Sequence, residues 1–482
     1  MEKLLLVFAG LALLGSYLYG SLHHKRFRQY AFFPQMPTSL ILGHLKHVDF
    51  FIRTGKPNGH PDLAFAAMNE ALGRPGLMFL DLRPFGPPMV VVRSHEVAEQ
   101  VSKASKSLPY SLPKMPSVYG HMVHVTGRTS ILATHSSTFL ENLNRFSRIG
   151  GVFSLVELTG NLTFDIICSV VMDVDFGSQN TGKQSDFVRS YHELFETYAS
   201  EQVDLPWFLT PRMEWKRQQL AKRVRSTLAA IIRDTFDNRQ TETTKSRSIL
   251  SLSLQGYVDD LTSQDVDEAC DQISTFLFTG HDTTSILLSW MFYELSRAPH
   301  APKTLRSELD DLFGPDSNPS TVCNKLLSND GKVLLNSMKY AGTARKTEPG
   351  AGLTVHTPTG EYPLEGVNVY NCAIMTQRDP EVYGDTANYF MPERWLNETA
   401  EKIPASAWRA FERGPRKCIG QELANLEARI VVALVARRYE FSKVGTGELN
   451  LDEDGKPILD SMGYFKTASK MYPVSIFYFS PT

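Results

Sequence analysis

The chain has 482 residues, of which 42% are hydrophobic, 11% aromatic and 21% charged, enough apolar material for a large core and far from a disordered tail or a small disulfide-bonded scaffold. Lys plus Arg total 50 and Asp plus Glu 52, a formal charge of -2 with no long basic block, so nucleic acid is not an expected partner. The five cysteines, with no CxxC among them, exclude a zinc ribbon and point to a reducing compartment.

The first element is an almost wholly apolar run from Leu4 to Leu22, roughly 19 residues that, as a helix rising about 1.5 Å per residue, just cross a bilayer core. Lys25, Arg26 and Arg28 follow it, against Lys3 before it. The positive-inside rule then places the rest of the chain in the cytosol. The run is long for a cleaved signal and no A-x-A site closes it, so residues 1–22 are predicted to be a membrane anchor. Residues 23–40 read as a basic linker stiffened by Pro34 and Pro37, and 41–482 as one domain.

Residues 79–92 look like two short strands around a Gly86-Pro87-Pro88 turn. Helical apolar spacing covers Val152 to Val174, Lys183 to Gln202, Trp215 to Arg239 and Thr262 to Ala298. Short strands return around Leu353 to Val355, Tyr362 to Tyr370 and Ala468 to Phe479. The class is mainly α, an α+β globule with small peripheral sheets.

Chemistry concentrates near the C-terminus. The segment Phe411-Glu-Arg-Gly414-Pro-Arg416-Lys-Cys418-Ile-Gly420 runs into QELANLEARIVVALVARR, whose apolar residues follow helical spacing, so Cys418 belongs at a helix N-terminus. Free N–H groups, the helix dipole and neighbouring Arg413, Arg416 and Lys417 favour a thiolate there, a strongly donating iron ligand. Gly414 permits a tight turn, and Gly420 lets a flat macrocycle approach the backbone. Arg416 is placed for a propionate and Phe411 to pack beside the sulfur.

This decapeptide resembles the haem-ligating loop of the cytochrome P450 family at Phe411, Gly414, Arg416, Cys418 and Gly420. Other motifs agree in order: FLFTGHDTTS in the middle of the run from Thr262, Gln377-Arg378-Asp379-Pro380, and Met391-Pro392-Glu393-Arg394-Trp395. The resemblance implies haem b with Cys418 as its axial thiolate and iron ligand. It implies that Asp282 and Thr283 form the acid–alcohol pair supplying protons on the oxygen side, with Phe276, Thr279 and Gly280 lining the pocket. Arg394 would join a buried ion-pair network below the haem. Gly280, Asp282, Thr283 and Thr284 together would also loosen the helix enough to admit water. His281 has no second ligand at the next turn, where Ser285 stands, and is not expected to bind metal.

Two family features are missing. The E-x-x-R helix that would pair with Arg394 should fall between 335 and 360, where the chain reads LLNSMKYAGTARKTEPGAG; a deletion near 340–342 fits best, with AGTAR as the loop beyond it. The W-x-x-x-R helix is also absent, because no tryptophan precedes Trp207, suggesting a second deletion near 133–140. Removing partners from a buried charge costs about 3–5 kcal/mol and would leave Arg394 unpaired. That motivates two rivals, an incomplete gene model or a non-catalytic haem-binding pseudoenzyme.

The expected function is a haem-thiolate monooxygenase that hydroxylates, epoxidises or desaturates an apolar small molecule. NADPH would deliver electrons through a cytochrome P450 reductase partner. FERGPRKCIGQELA and IPASAWRAF resemble ascomycete enzymes of polyketide-type secondary metabolism, and an endoplasmic reticulum location follows from the resemblance. An oxygen-independent thiolate-haem isomerase is a further alternative, against which the Asp282–Thr283 pair argues. His121 and His124 are not expected to bind metal, since on a strand they would point to opposite faces. The glycosylation matches at Asn161 and Asn397 are expected to stay unmodified in a cytosolic globule. Arg409, Arg413 and Lys417 could form a basic face toward an acidic electron donor.

Overall fold

In this computed structural model the described residues are 2–55, 60–103, 129–150, 152–180, 182–199, 210–239, 248–257, 260–314, 318–328, 343–346, 352–395, 400–445, 448–467 and 476–481. Their helices, in chain order, are α1 (Glu2–Phe27), α2 (Leu45–Thr54), α3 (Pro61–Ala71), α4 (His95–Ser102) and α5 (Thr129–Ile149). Then come α6 (Leu155–Met172), α7 (Asp186–Ala199), α8 (Pro211–Asn238), α9 (Ile249–Leu254) and α10 (Ser263–Arg297). The last are α11 (His300–Phe313), α12 (Pro319–Ser328), α13 (Ala373–Thr376), α14 (Pro380–Tyr383) and α15 (Gln421–Ala436). The strands are β1 (Leu77–Leu80), β2 (Met89–Val92), β3 (Phe153–Ser154), β4 (Thr343–Lys346) and β5 (Thr354–Thr357). They continue with β6 (Gly360–Pro363), β7 (Asn368–Asn371), β8 (Tyr439–Val444) and β9 (Ile476–Pro481). Two compact units result, Met1–Met115 with Asn336–Cys418 and Pro116–Leu335 with Ile419–Thr482.

The first unit is built on a four-stranded sheet of order β1-β2-β7-β4 and a β5–β6 hairpin. Only β2 and β7 pair in parallel. One sheet face buries Leu77, Phe79, Val90, Val92 and Val369, the other Met78, Leu80 and Val91. Two covered faces explain why these strands read as unbroken apolar runs rather than as alternation. The hairpin around Gly86-Pro87-Pro88 forms as expected. The single strand expected over Tyr362 to Tyr370 is two strands, because Gly366 takes φ +71, a left-handed conformation that ends extended pairing. Residues 343–346, expected in a loop, instead pair with β7 as an edge strand.

The stretch after the apolar run is not a free tether. Tyr30 and Phe33 are 8% and 3% exposed and pack with Phe79 and Val90. Arg26 is buried in an ion pair with Asp81 at 2.7 Å, and it donates to the carbonyls of Leu40, Ile41 and Arg83. Aromatic burial thus converts the expected linker into part of the unit, and α1 continues to Phe27. Upstream, α1 exposes Phe8, Leu11, Leu13, Leu14, Tyr17 and Leu18.

The second unit is helical, with a three-stranded sheet of order β3-β9-β8. Its axis is α10, 35 residues opened by the expected capping box, in which Thr262 and Asp265 satisfy each other's backbone N–H groups. Val266, Cys270, Ile273 and Leu277 of α10 pack with Phe164, Ile167 and Val171 of α6 and Leu228 and Ile232 of α8. The helices α6 and α10 touch closely. A Cβ on Gly280 would lie 2.6 Å from Ile167 Cγ1, so glycine is required by contact. Thr163 Oγ1 donates to His281 O at 2.8 Å and Thr159 Oγ1 to Ser285 O at 3.3 Å. These bonds and an unbroken ladder from Ser263 to Arg297 replace the expected local opening, because neighbouring threonines take up the carbonyls that water was expected to reach.

Helix α6 has the length and hydropathy to cross a membrane, but 83% of it is buried in the unit, and it is a core helix. The expected break near residues 133–140 falls inside the continuous helix α5. The chain therefore closes smoothly there, without the family's tryptophan–arginine pair. The proposed gap at 340–342, His121, His124 and Asn397 lie outside the described residues.

Candidate active site

The cysteine loop is held by the first unit. Phe411 is 7% exposed, and its carbonyl accepts the Cys418 N–H at 2.8 Å, closing the loop over the one-turn 3-10 helix Gly414–Arg416. Gly414 has φ +78, and a Cβ there would sit 2.1 Å from Ser102 O. Conformation and space each demand glycine. Gly420, by contrast, has φ -83, which any residue adopts, so the backbone does not require its glycine. The chain enters α15 three residues after the sulfur, a shorter helix than the spacing suggested, and Ile419 is 47% exposed.

Under this loop lies an ionic network that sequence reasoning missed. Arg409, 3% exposed, pairs with Glu99 at 3.0 Å and Glu412 at 2.6 Å and donates to Ser102 Oγ. Arg413 joins Glu99 at 3.0 Å, and Asn371 donates to the second Glu412 oxygen at 2.8 Å. Burial opposes ionisation of Glu99, yet hydrogen bonding from Arg409 and the Arg413 charge hold its carboxyl below the usual range. The network joins positions some 300 residues apart, for which one chain carries no local signal. It also corrects the expected basic face: Arg409 is buried, Arg413 is paired, and Lys417 is left as its exposed cation.

Of the five cysteines, Cys168, Cys270, Cys323 and Cys372 are buried and Cys418 is exposed. Burial raises all four inner thiols, Cys323 to about 12, which keeps them protonated and poor as ligands. A soft metal donor on an accessible, glycine-shaped loop is therefore available at Cys418 alone, and these residues fit a haem iron. Arg416, half-exposed and two residues before the sulfur, carries the guanidinium that fits a propionate. Arg394 is not stranded. It is 6% exposed, donates to Thr386 O at 2.6 Å and Thr386 Oγ1 at 2.9 Å, and stacks 5.0 Å from the Tyr383 ring centroid. The expected penalty of an unpaired Arg394 is therefore corrected, since local oxygens and an aromatic face take the place of a glutamate.

On the second unit, α10 is buried on most sides but leaves a stripe uncovered. Thr275, Thr279, Thr283 and Ile286 are exposed and Asp282 is half-buried beside them, at helical spacing along one face. Thr283 Oγ1 donates to Thr279 O at 2.6 Å, and Thr279 Oγ1 to Thr275 O at 2.8 Å. Burial raises the Asp282 pKa, and His281 opposes this in part. Phe276 and Gly280 are corrected as pocket residues: Phe276 packs on the unit's own core and Gly280 on Ile167. His281 is buried, with Nδ1 2.7 Å from Leu277 O and its ring edge-on to Phe164, an internal packing role. Asn161 is 3% exposed and accepts from Ser178 Oγ at 2.8 Å, closed to glycosylation.

The comparisons agree with this geometry. The sequence family described as Cytochrome P450 matches residues 115–328 and 361–461. Cytochrome P450 monooxygenase polC of Polytolypa hystricis is 26% identical over 479 residues, covering 85% of this chain and 81% of that protein. A bifunctional cytochrome P450/NADPH–P450 reductase of Gibberella moniliformis is 28% identical over 297 residues, covering 58% of this chain and 25% of that protein. In three dimensions the crystal structure of the cytochrome P450DA heme domain superposes with a TM-score of 0.70 at 16% identity, over 93% of this chain and 98% of that one. A helix-rich fold with small sheets and a thiolate loop before its last long helix defines a haem-thiolate oxidoreductase. The chain belongs to the cytochrome P450 family, and relatives such as polC are described as monooxygenases.

Proposed function

We propose that this protein is a membrane-anchored haem-thiolate monooxygenase that oxidises an apolar small molecule of a fungal, polyketide-type secondary pathway, with electrons from NADPH through a separate reductase. The observation that carries it is the exposed Cys418 on a loop that tolerates only glycine at 414. When bound, haem supplies one-electron and dioxygen chemistry. Cys418 offers its thiolate to the iron and Arg416 its guanidinium to a propionate. Asp282 carries a pKa raised by burial, the direction that suits a carboxyl acting as a proton donor. Thr283, one residue on, presents hydroxyl lone pairs on the exposed stripe while its own proton is shared with Thr279 O. The fused relative supports the need for a reductase.

Two measurements test the reading. Asp282→Asn is expected to lower reductase-dependent turnover by about 10²–10⁴-fold, the usual worth of a positioned acid or base, with the reduced, carbon-monoxide-bound spectrum unchanged. Equal turnover removes the proton role, and a wild-type chain that binds haem but never consumes NADPH supports the pseudoenzyme. The exposed apolar side chains of α1 support the anchor, and the endoplasmic reticulum is the proposed membrane. Full-length protein should stay with carbonate-washed membranes and a chain lacking residues 2–22 should be released; retention of the shortened chain counts against the anchor.

A further inference from the structure

Three side chains unused by the haem chemistry meet within the second unit. His135 comes from α5, Asp165 from α6 and Asp175 from the turn after α6, and one ligand-type atom of each lies within 4.8 Å of the others. His135 and Asp165 are 5% and 1% exposed, whereas Asp175 is exposed. A solvent-facing carboxylate beside two buried donors gives an ion an entry path.

Hydrogen bonds orient each donor. Ser169 Oγ lies 3.0 Å from His135 Nε2 and itself donates to Val174 O at 3.3 Å. With its own proton on Val174 O, Ser169 Oγ can accept from Nε2–H, the tautomer that keeps the Nδ1 lone pair for a metal and the usual outer arrangement around a metal-binding histidine. Asp165 Oδ1 accepts the Ser178 N–H at 2.7 Å and Oδ2 the Gln179 N–H at 3.1 Å, which fixes the carboxylate while lone-pair capacity remains on it. Asp175 Oδ1 accepts from Gly177 N at 2.9 Å.

Gln179, hydrogen-bonded to the same residues, carries a separate observation. Gln179 is 4% exposed, donates Nε2 to His135 O at 3.3 Å, and its side chain also reaches the Asp165 carboxylate. Its Oε1 is buried with no hydrogen-bond partner. An orphaned buried acceptor costs about 1–3 kcal/mol, which a cation at this oxygen would offset.

We propose that His135, Asp165 and Asp175, with Gln179 Oε1, bind one divalent transition-metal cation of the zinc type and so tie α5 to α6 and the turn after it. One imidazole with oxygen donors suits such an ion, whereas calcium and magnesium favour oxygen-only shells and copper(I) favours sulfur. Two carboxylates balance its charge.

The test uses the full-length, haem-loaded chain, stripped with chelator, loaded with Zn²⁺ alone and dialysed. The expected result is one retained zinc per chain, a raised thermal midpoint, and the same equivalent in Cys418→Ser. Asp175→Asn, a change in an exposed turn that leaves the core intact, should lose the zinc and the thermal shift, and Ser169→Ala should weaken binding about 10–100-fold. No retained zinc in the wild type, full retention in Asp175→Asn, or a zinc equivalent lost with Cys418→Ser would each overturn the assignment.

Discussion

Serine at position 418 is expected to abolish the thiolate-type band of the reduced, carbon-monoxide-bound protein and all reductase-dependent oxidation, while leaving the fold intact. The expectation follows from accessibility and from chemistry. Cys418 is exposed, the other four cysteines are buried, and burial holds their thiols protonated, so no second sulfur can take over. A serine hydroxyl ionises far less readily than a thiol and is a harder donor. Because the residue is exposed, its replacement removes almost no packing, and the unfolding free energy of the haem-free chain should change by no more than a surface substitution does, about 0.5 kcal/mol. A Cys418→Ser protein that kept the thiolate-type band and its activity would refute the assignment of the ligand.

The second large effect is expected at Gly414. Alanine there must adopt φ +78 and place its methyl 2.1 Å from Ser102 O. The conformation alone costs about 1–2 kcal/mol. The contact cannot be relieved by a rotamer, because a main-chain oxygen of α4 stands in the way. The loop has to lift, which separates Arg409 from Ser102 and strains its pairs with Glu99 and Glu412; opening a buried charge network costs about 3–5 kcal/mol. Gly414→Ala should therefore lose several kcal/mol of stability and most of its haem. Gly445→Ala serves as the control, since Gly445 has φ +76 but nothing within 4 Å of an added Cβ. It should show the conformational cost alone. Equal thermal midpoints for the two variants would mean that the close approach to Ser102 is not limiting.

The sequence by itself determined the family and the long helix with its capping box, and it singled out the sulfur proposed here as the metal ligand. All three are written in local spacing: a glycine and two basic residues around one cysteine, a threonine three residues before an aspartate, apolar positions at helical intervals. It also placed the paired strands before Val92, because a Gly-Pro-Pro turn between apolar runs needs no distant partner.

What only the tertiary structure decided depends on residues far apart in the chain. Arg26, Tyr30 and Phe33 read as a linker until Asp81 and Phe79 supply the ion pair and aromatic packing that bury them. Phe276 and Gly280 read as pocket residues until Ile167 shows which face of α10 is turned inward. Arg394 reads as abandoned until Thr386 and Tyr383 are seen beside it. The Arg409 network and the His135–Asp165–Asp175 cluster were invisible for the same reason. Burial and charge pairing are set by which surfaces meet, and a one-dimensional pattern records only how each segment would present itself, not what it meets.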